Sequence, residues 1–474
     1  MVLKSHIKRV GALCLLVIAS NGAFAQYTLK ECIDSAIANN LDLKQAELTA
    51  ESSKIDWRQA KANMLPTLNG SINHGINQGR SIDPFTNDYI DQRVDFAGYG
   101  LNSGLVLFNG FGIQNTIKQN SLAYQAAKMD VQQMKDNLTL NIILAYLQVL
   151  TNEDLLEQSK SQLEVSRQQV SRLNKMNQEG AIVPSQLTNL QGEMAGNELT
   201  VIENQNNLQS SKLALFQLMN VMFDSSAKFE RIKADQFDLQ YNAGVAEIYE
   251  TALQKLALVK AAEFRKESAA KGVQAAKGFL YPQLSLNGNV NTNYSSAAMQ
   301  NVFLERADIK TDNYVTIDGV KTNVVSPQDQ FRSDKIKYGK QLNNNLYTTI
   351  SLDLTIPLLN SFSARNRVKK AAIQLKSSDY VEESTRIQLR QAVEQAYSNM
   401  TAARNRYSAL LRQVAAFRES FRTSEVRFNA GVETVVDYVI AKNNLDRANS
   451  NLIIARYDYL LRTKVLDYYR GMSL

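Results

Sequence analysis

Two copies of one pattern occupy this chain, and the repeat constrains the fold more than any other feature of the sequence. The run Met64–Leu68 matches Leu280–Leu284 at a shift of 216 residues, and Leu105–Phe111 matches Ile356–Phe362 at a shift of 251. The second copy therefore carries 35 extra residues between its two runs. We expect each copy to follow the order helix, strand, loop, strand, long helix, turn and helix.

The repeat divides the chain into two structural copies, residues 26–223 and 244–474. A polar linker, residues 224–243, joins them. Gly180 and Gly431 are related by the same shift of 251, and each marks the turn between a long helix and its antiparallel return.

Each copy also contains a long segment that lacks helix breakers. The segment 111–178 contains no proline and no glycine after Gly112, and the segment 363–430 contains neither residue at all. A helix of this length spans about 100 Å. Apolar residues recur every seven positions in the same register in both segments, which is typical of coiled-coil packing. They are Ile142, Val149, Leu156, Leu163 and Val170 in the first segment, and Val393, Met400, Tyr407, Val414 and Phe421 in the second.

Four short segments alternate between apolar and polar residues, which predicts β-strands at about 66–77, 99–109, 282–294 and 346–357. One face of each strand is apolar, and the other is rich in Asn, Ser and Thr. Segments of about ten residues with this alternation are typical of strands that cross a membrane. A soluble sheet with one buried face is the alternative interpretation of the same pattern.

Four strands are too few to close a sheet in lipid. An open edge cannot face lipid, because its unpaired amides cost several kcal/mol each, and the smallest usual membrane barrel has about eight strands. The strands of one chain must therefore join those of its neighbours, which gives eight strands from two chains or twelve from three. The sequence predicts a mostly α-helical chain with membrane β-strands in such a shared barrel.

The N-terminus predicts a secretory signal peptide at residues 1–25, with a basic start, the apolar core Val10–Ala19 and small residues at Ala23–Ala25. Leu13 before Cys14 argues against lipid attachment there. Without the leader the formal charge falls from +7 to +4, which gives no reason to expect nucleic-acid binding.

The remaining chain contains one histidine, His74, and one cysteine, Cys32. This composition argues against a histidine-based catalytic triad and against a metal site with several histidines. We expect no enzymatic activity, no cofactor and no internal disulfide. The loops after the first and third strands carry acids that offer oxygen ligands to cations, although a solvated polar loop explains them as well. These acids are Asp83, Asp88, Asp91, Asp308, Asp312 and Asp318.

The order and duplication of several short motifs resemble the TolC-like outer-membrane efflux proteins over essentially the whole mature chain. The motifs are Leu65–Leu68 and Tyr281–Leu284 at the strand starts, Leu107–Phe111 at a strand–helix junction, and Arg427–Gly431 at a helix end. The residues expected at the strand–helix junctions are Pro66, Pro282, Asn109, Gly110, Pro357 and Asn360.

This resemblance implies a homotrimer in the outer membrane, with one twelve-stranded barrel and one long helical barrel across the periplasm. It implies a passive exit duct that works with a periplasmic adaptor and an inner-membrane pump of the RND or ABC type. The helix reversals then correspond to adaptor-docking tips, although a plain helix turn explains the same glycines. The tip residues are Gly180, Ala181, Ile182, Gly431, Val432 and Glu433.

The resemblance also implies a periplasmic gate. Asp437 falls where the family places an inward acid, and Arg456 where it places a basic partner. The sequence departs from the family at Ile440 and Gln186, where acids are expected, and at Phe428, where a tyrosine is expected. A solvated acid at a helix start is the alternative interpretation of Asp437.

A trimeric coiled-coil adhesin or stalk without transport is the main competing function. Such a protein places one set of strands at a chain end, whereas this chain has two internal sets. The sequence leaves the transported substrate open.

Overall fold

The computed structural model describes residues 26–82, 87–91, 93–232 and 241–472. The predicted leader, Asp83 and the linker residues 233–240 lie outside the described residues. The chain divides into two compact units. The sheet unit comprises Ile55–Ser121 and Ser268–Leu375, and the helical unit comprises the segment up to Lys54, Leu122–Glu267 and the segment from Lys376 onward. Each unit draws on both sequence copies, so the compact units do not coincide with the copies.

Nine helices are described, and they follow the repeat closely. Their bounds are α1 Leu29–Asn39, α2 Leu41–Ala62, α3 Gly112–Gln178, α4 Pro184–Met219, α5 Val245–Lys255, α6 Ala257–Gly278, α7 Tyr338–Asn344, α8 Ser363–Asn429 and α9 Val435–Tyr469. The long helices α3 and α8 have 67 residues each. The short helices α1 and α5 were not expected from the sequence. They have 11 residues each and are related by the shift of 216. Among the described helices, none combines the length and apolar character needed to cross a membrane.

The predicted seams of the long helices are buried. Ile142 and Val149 on α3 and Val393 and Met400 on α8 are almost inaccessible to solvent. A second row on α3, which comprises Asn152, Ser159 and Ser166, is polar but buried as well, and its side chains are hydrogen-bonded. For example, the Asn152 amide donates to the carbonyl oxygen of Asn207 at 3.1 Å. The seven-residue pattern therefore marks packing surfaces rather than a ligand site.

Eight strands are described, in three sheets. Their bounds are β1 Thr67–Asn77, β2 Arg80–Ile82, β3 Tyr89–Asp91, β4 Val94–Phe108, β5 Gln283–Ser295, β6 Met299–Ile317, β7 Val320–Lys335 and β8 Tyr347–Thr355. One antiparallel sheet has the order β1-β4-β5-β8, and it contains the four strands that the fold prediction requires. The pairs β2-β3 and β6-β7 form two separate ribbons.

The expectation of a loop after the third strand, at about 295–345, is wrong, because most of that segment is regular secondary structure. The insertion forms a long hairpin, β6 and β7, which turns at Asp318 and Gly319 with positive φ angles of 49° and 85°. Helix α7 follows and is fixed to the end of β5 by Gln341, whose side chain exchanges two hydrogen bonds of 2.9 Å with the backbone of Ser295. Polar composition concealed this hairpin, because its pairing uses backbone groups that any residue supplies.

The core of the helical unit also holds the first described residues in place. Tyr27 and Phe229 form a parallel bridge, so that the N-terminal segment lies beside the segment that follows α4. The buried Tyr146 hydroxyl lies 2.8 Å from the carbonyl oxygen of Glu230 and 3.0 Å from that of Tyr27. The Tyr27 carbonyl oxygen also accepts a hydrogen bond from the Glu230 amide at 3.1 Å, so the buried hydroxyl adds a side-chain contact to this bridge.

Candidate functional site

The four-stranded sheet separates apolar from polar side chains. Its apolar face is solvent-exposed, and Ile72 and Ile350 are 78% and 77% exposed. The opposite face consists mainly of Asn, Ser, Thr and Gly. Asp353 is the one carboxylate on that face within the described sheet, and it accepts hydrogen bonds from Asn287 at 2.6 Å and Ser351 at 2.9 Å. A wall of this kind suits lipid on one side and water on the other.

Both strand–helix junctions use the same unusual backbone. Gly110 and Phe111 have φ angles of 64° and 61°, and the corresponding Ser361 and Phe362 have 53° and 59°. In the first junction, the Asn109 side chain accepts a hydrogen bond from the Ile113 amide at 3.2 Å, which caps α3. In the second junction, the Ser363 amide donates to the Asn360 carbonyl oxygen at 2.9 Å. Pro66 and Pro282 immediately precede β1 and β5, and Pro357 follows β8.

The two helix reversals are also built alike. Gly180 and Gly431 have φ angles of 73° and 76°, which favour glycine. The amide of the next residue donates to a carbonyl oxygen five positions back, from Ala181 to Met176 at 2.8 Å and from Val432 to Arg427 at 3.0 Å. These bonds end each long helix in a Schellman motif.

The tip side chains differ in their exposure. Val432 is 68% exposed, whereas Ile182 packs against the cluster of Leu173, Leu187, Leu190 and Val435. Glu433 accepts a hydrogen bond from Ser424 at 2.6 Å, and its other oxygen lies 3.7 Å from Arg427 Nε. Glu433 therefore holds the turn together, while Val432 is available for contact.

Asp437 lies in the first turn of α9. Thr434 caps this helix by accepting a hydrogen bond from the Asp437 amide at 3.1 Å, and its hydroxyl donates to the Asp437 carboxylate at 2.7 Å. This arrangement is the helix-start role that the sequence left open as an alternative. The Asp437 side chain is nevertheless exposed, and so is Ile440 one turn later.

In the first copy, the start of α4 is equivalent to the start of α9, but it carries no charged side chain at the position of Asp437. Gln186 occupies the equivalent position on α4, where Val183 provides no side-chain cap. Phe428 stacks on the buried Tyr438, with ring centroids 4.6 Å apart. Phe428 therefore supports the base of the reversal by packing, a role that needs no hydroxyl.

Arg456 does not lie beside Asp437. The two residues are 19 positions apart on one helix, a separation of about 28 Å. Arg456 forms an ion pair with Asp154 of α3, to which Tyr457 also donates a hydrogen bond at 2.9 Å. Arg231 lies 3.4 Å from the second oxygen of the same carboxylate.

A neighbouring buried pair was also missed by the sequence analysis. Lys212 donates to the Ala227 carbonyl oxygen at 2.5 Å, and its Nζ lies 3.7 Å from Glu153. Burial raises the pKa of the Glu153 carboxyl, and the nearby charge of Lys212 opposes that shift. The adjacent acids Glu153 and Asp154, within a helix seam that is otherwise buried, were the available signal in the sequence.

No group of three or more His, Cys, Asp or Glu side chains that suits a metal ion occurs in the described part of the chain. The loop acids Asp308, Asp312 and Asp318 lie along β6 and its turn.

A family model described as outer membrane efflux protein matches residues 32–221 and 248–468. The chain belongs to this family. The matched ranges include both helix reversals and both strand–helix junctions of this efflux-family chain.

Relatives in the family are distant but extensive. TolC of Salmonella enteritidis is 23% identical over 364 residues, which cover 75% of this chain and 65% of that protein. TolC of Vibrio cholerae is 20% identical over 437 residues, covering 91% of this chain and 88% of its own. Toxin and drug export protein A of Aggregatibacter actinomycetemcomitans is 19% identical, covering 91% and 83%.

Solved structures confirm the fold class. CusC superimposes with a TM-score of 0.75 at 16% identity and covers 94% of this chain and 92% of its own. The outer membrane protein VceC of Vibrio cholerae gives a TM-score of 0.74 at 15% identity, with coverage of 94% and 96%.

Proposed function

We propose that three copies of this chain form a passive exit duct in the outer membrane. A periplasmic adaptor docks onto the duct, and an inner-membrane pump of the RND or ABC type drives efflux or type I secretion through it. The observation that carries the proposal is a four-stranded sheet whose outer strands, β1 and β8, have no further partner strand among the described residues. One face of that sheet is apolar and exposed, and the other is polar.

The open edges argue for association. Each unpaired backbone group at a sheet edge costs several kcal/mol in hydrocarbon, so a sheet in lipid must close on itself. Edge β8 of one copy can pair with edge β1 of the next, because all neighbours within the sheet are antiparallel. Three copies supply twelve strands, which fits the three-fold assembly that the family resemblance implies.

The internal repeat also supplies the register of that pairing. In the repeat, β4 corresponds to β8, and β5 corresponds to β1. The pairing of β4 with β5 inside one chain is therefore the template for the pairing of β8 with β1 of the next chain. Gly104 lies opposite Asn287 within the chain. The shifts of 251 and 216 convert this pair into Thr355 opposite Ser71. The same register places Leu352 opposite His74, and both belong to the apolar face, so the faces stay aligned.

Disulfide cross-linking tests this register. The variant Ser71→Cys with Thr355→Cys should form covalent dimers and trimers on non-reducing gels, because directly opposite residues fit disulfide geometry. Asn69→Cys with Thr355→Cys is the matched control, offset by two residues on the same face. Preferential linking of the control would contradict the register, and the absence of linking in both would contradict the shared sheet. Native Cys32 is buried and does not interfere.

Conductance tests the duct itself. The purified protein in planar bilayers should give single-channel currents, whereas a stalk or adhesin without a pore should give none. This measurement also separates the transport function from the competing structural function, because both predict long coiled coils.

The exposed tip residue Val432 supports docking of an adaptor through apolar contacts. In cells that contain the matching adaptor and pump, Val432→Asp should abolish efflux by placing a charge in that contact. The same variant should keep its conductance in bilayers, because the substitution lies outside the pore wall. Unimpaired efflux would contradict docking at this tip.

A further inference from the structure

The helical ends in the sheet unit are strongly basic. Residues 55–66, 109–121, 268–282 and 356–375 contain nine Lys and Arg residues and one acid, Asp56. By contrast, the segment 299–345, which carries the hairpin and α7, contains seven basic and six acidic residues. The positive charge is therefore confined to the helical side of the sheet.

Most of this charge lies on one side of the helices. A cavity on the polar-face side of the sheet is lined by residues such as Ala60, Asn63, Thr116, Phe279 and Arg367. Measured from the mean direction of the lining residues on each helix, six basic residues lie about 130° to 170° around the helix from the cavity. These residues, called here the basic belt, are Arg58, Lys61, Lys118, Lys277, Arg365 and Lys369.

Asp56 does not lie on the side of the helices that carries the basic belt. It lies four positions before Ala60, only about 40° away around the helix, and so faces the cavity. All six residues of the basic belt are exposed, and none forms an ion pair within the described chain. The belt is therefore a stretch of uncompensated positive charge on the side that carries the apolar face of the sheet.

Apolar and aromatic side chains separate the belt from the strands. Leu65, Phe111, Leu280, Leu358 and Phe362 are all exposed at the junctions. Trp57, the single tryptophan, lies under the Lys61 ammonium, which is 3.6 Å from the ring centroid. The order from strand to helix is thus the aliphatic face of the sheet, a band of exposed Leu and Phe side chains, and the cations with Trp57 among them. This order matches the acyl chains, interface and headgroups of a lipid leaflet.

We propose that the basic belt binds the anionic phosphate headgroups of phospholipids in the periplasmic leaflet of the membrane. This inference rests on the proposed insertion of the sheet in lipid. Clustered Lys and Arg next to a membrane-embedded segment attract anionic lipid over a distance of about one Debye length. Each Arg or Lys of the belt donates hydrogen bonds to phosphate oxygens, while the exposed Leu and Phe side chains of the junctions fix the depth.

Native mass spectrometry of the detergent-solubilised protein tests the proposal. The probes are phosphatidylglycerol and phosphatidylcholine with identical acyl chains. The wild type should retain more phosphatidylglycerol, and this preference should fall as salt is raised. Equal retention of the two lipids by the wild type would overturn the proposal, and this arm needs no variant to fold. Displacement of phosphatidylglycerol by millimolar inorganic phosphate would also overturn it, since the site would then recognise free phosphate.

Two matched triple variants locate the site. Lys277→Gln with Arg365→Gln and Lys369→Gln removes three charges from the belt, and should reduce phosphatidylglycerol binding by about tenfold or more. Lys271→Gln with Arg367→Gln and Lys370→Gln removes the same residue types from the same two helices on the cavity side. This control should change binding less than about twofold. Equal losses in both triples would overturn the assignment. A failure of the proposed duct would instead appear as lost conductance in the wild type.

Discussion

Arg456 forms an ion pair with Asp154, and this contact joins the last helix to the first long helix at a point where the two sequence copies differ. The equivalent positions of the other copy are Asn405 and Gln205, which carry no charge. Asp154 is only 10% exposed at its side chain, and it also contacts Arg231. One largely buried carboxylate therefore contacts two guanidinium groups, of which Arg231 also contacts the exposed Glu157.

Loss of the Asp154 carboxylate should destabilise the helical unit. Asp154→Ala leaves Arg456 and Arg231 without their shared counter-charge, and we expect the free energy of unfolding to fall by about 2 kcal/mol. Glu157→Ala is the control, because Glu157 is an exposed partner of Arg231, and its loss should cost less than about 1 kcal/mol. Urea denaturation of both variants measures the difference. Equal costs would show that the Asp154 network contributes no special stability.

Asp437 should set the ion preference of the proposed duct. In the proposed trimer, three copies of this exposed carboxylate would surround one axis and attract cations, so Asp437→Asn should weaken cation preference in planar bilayers. The reciprocal variant Gln186→Glu adds a carboxylate at the matching helix start and should strengthen that preference. Reversal potentials in a salt gradient provide the measurement. An unchanged reversal potential in both variants would remove these helix starts from the conduction path.

The two strand–helix junctions should respond oppositely to exchange of their residues. Ser361 adopts a positive φ, so Ser361→Gly should stabilise the protein by about 1 kcal/mol. Gly110→Ser should be destabilising, because a Cβ there would lie 2.7 Å from Tyr281 Cβ and 2.9 Å from the Gly278 carbonyl oxygen. Thermal unfolding of the two variants tests this, and a gain in stability from Gly110→Ser would refute the close approach.

Asp136 should make stability depend on pH. Burial raises the pKa of its carboxyl, although Gln132 donates a hydrogen bond of 2.7 Å that opposes the shift. The folded state therefore binds this proton more tightly than the unfolded state. That contribution is fully present below the unfolded pKa of about 4 and is lost as the pH rises through the folded pKa.

Asp136→Asn removes this titration. The free energy of unfolding of Asp136→Asn minus that of the wild type should therefore be larger at pH 7 than at pH 4.5. Asp130→Asn is the control, since Asp130 is an exposed partner of Arg265. Urea denaturation at both pH values provides the test, and a difference between the variants that does not change with pH would contradict the assignment.

The long helices and the sheet could be predicted because their signals are local and periodic. The seven-residue spacing from Ile142 to Val170 requires a helix with one buried stripe, and the two-residue alternation around Ile72 and Ile350 requires a strand with two unlike faces. Both patterns are properties of consecutive residues. The hairpin β6–β7 has a weaker alternation and contains Pro327, so its backbone pairing could not be recognised in this way.

Some candidate site residues could also be recognised from local sequence, whereas others depend on contacts between distant segments. The glycines of the reversals and the Asn109–Gly110 junction are recognisable, because positive φ angles favour particular residues at particular turns. The partner of Arg456 is 302 positions away in sequence, and no local pattern relates it to Asp154. A resemblance placed Arg456 near a gate, whereas the packing of α9 on α3 decides which carboxylate it meets.

Periodicity and strand number follow from the order of residues, so the sequence was enough to show that this chain is duplicated, mostly helical and incomplete as a sheet. The folded structure was needed to show which charges pair, which tip residues remain exposed, and on which side of the helices the basic belt lies. These properties depend on distances between segments far apart in the chain, and such distances exist only once the helices and strands have packed.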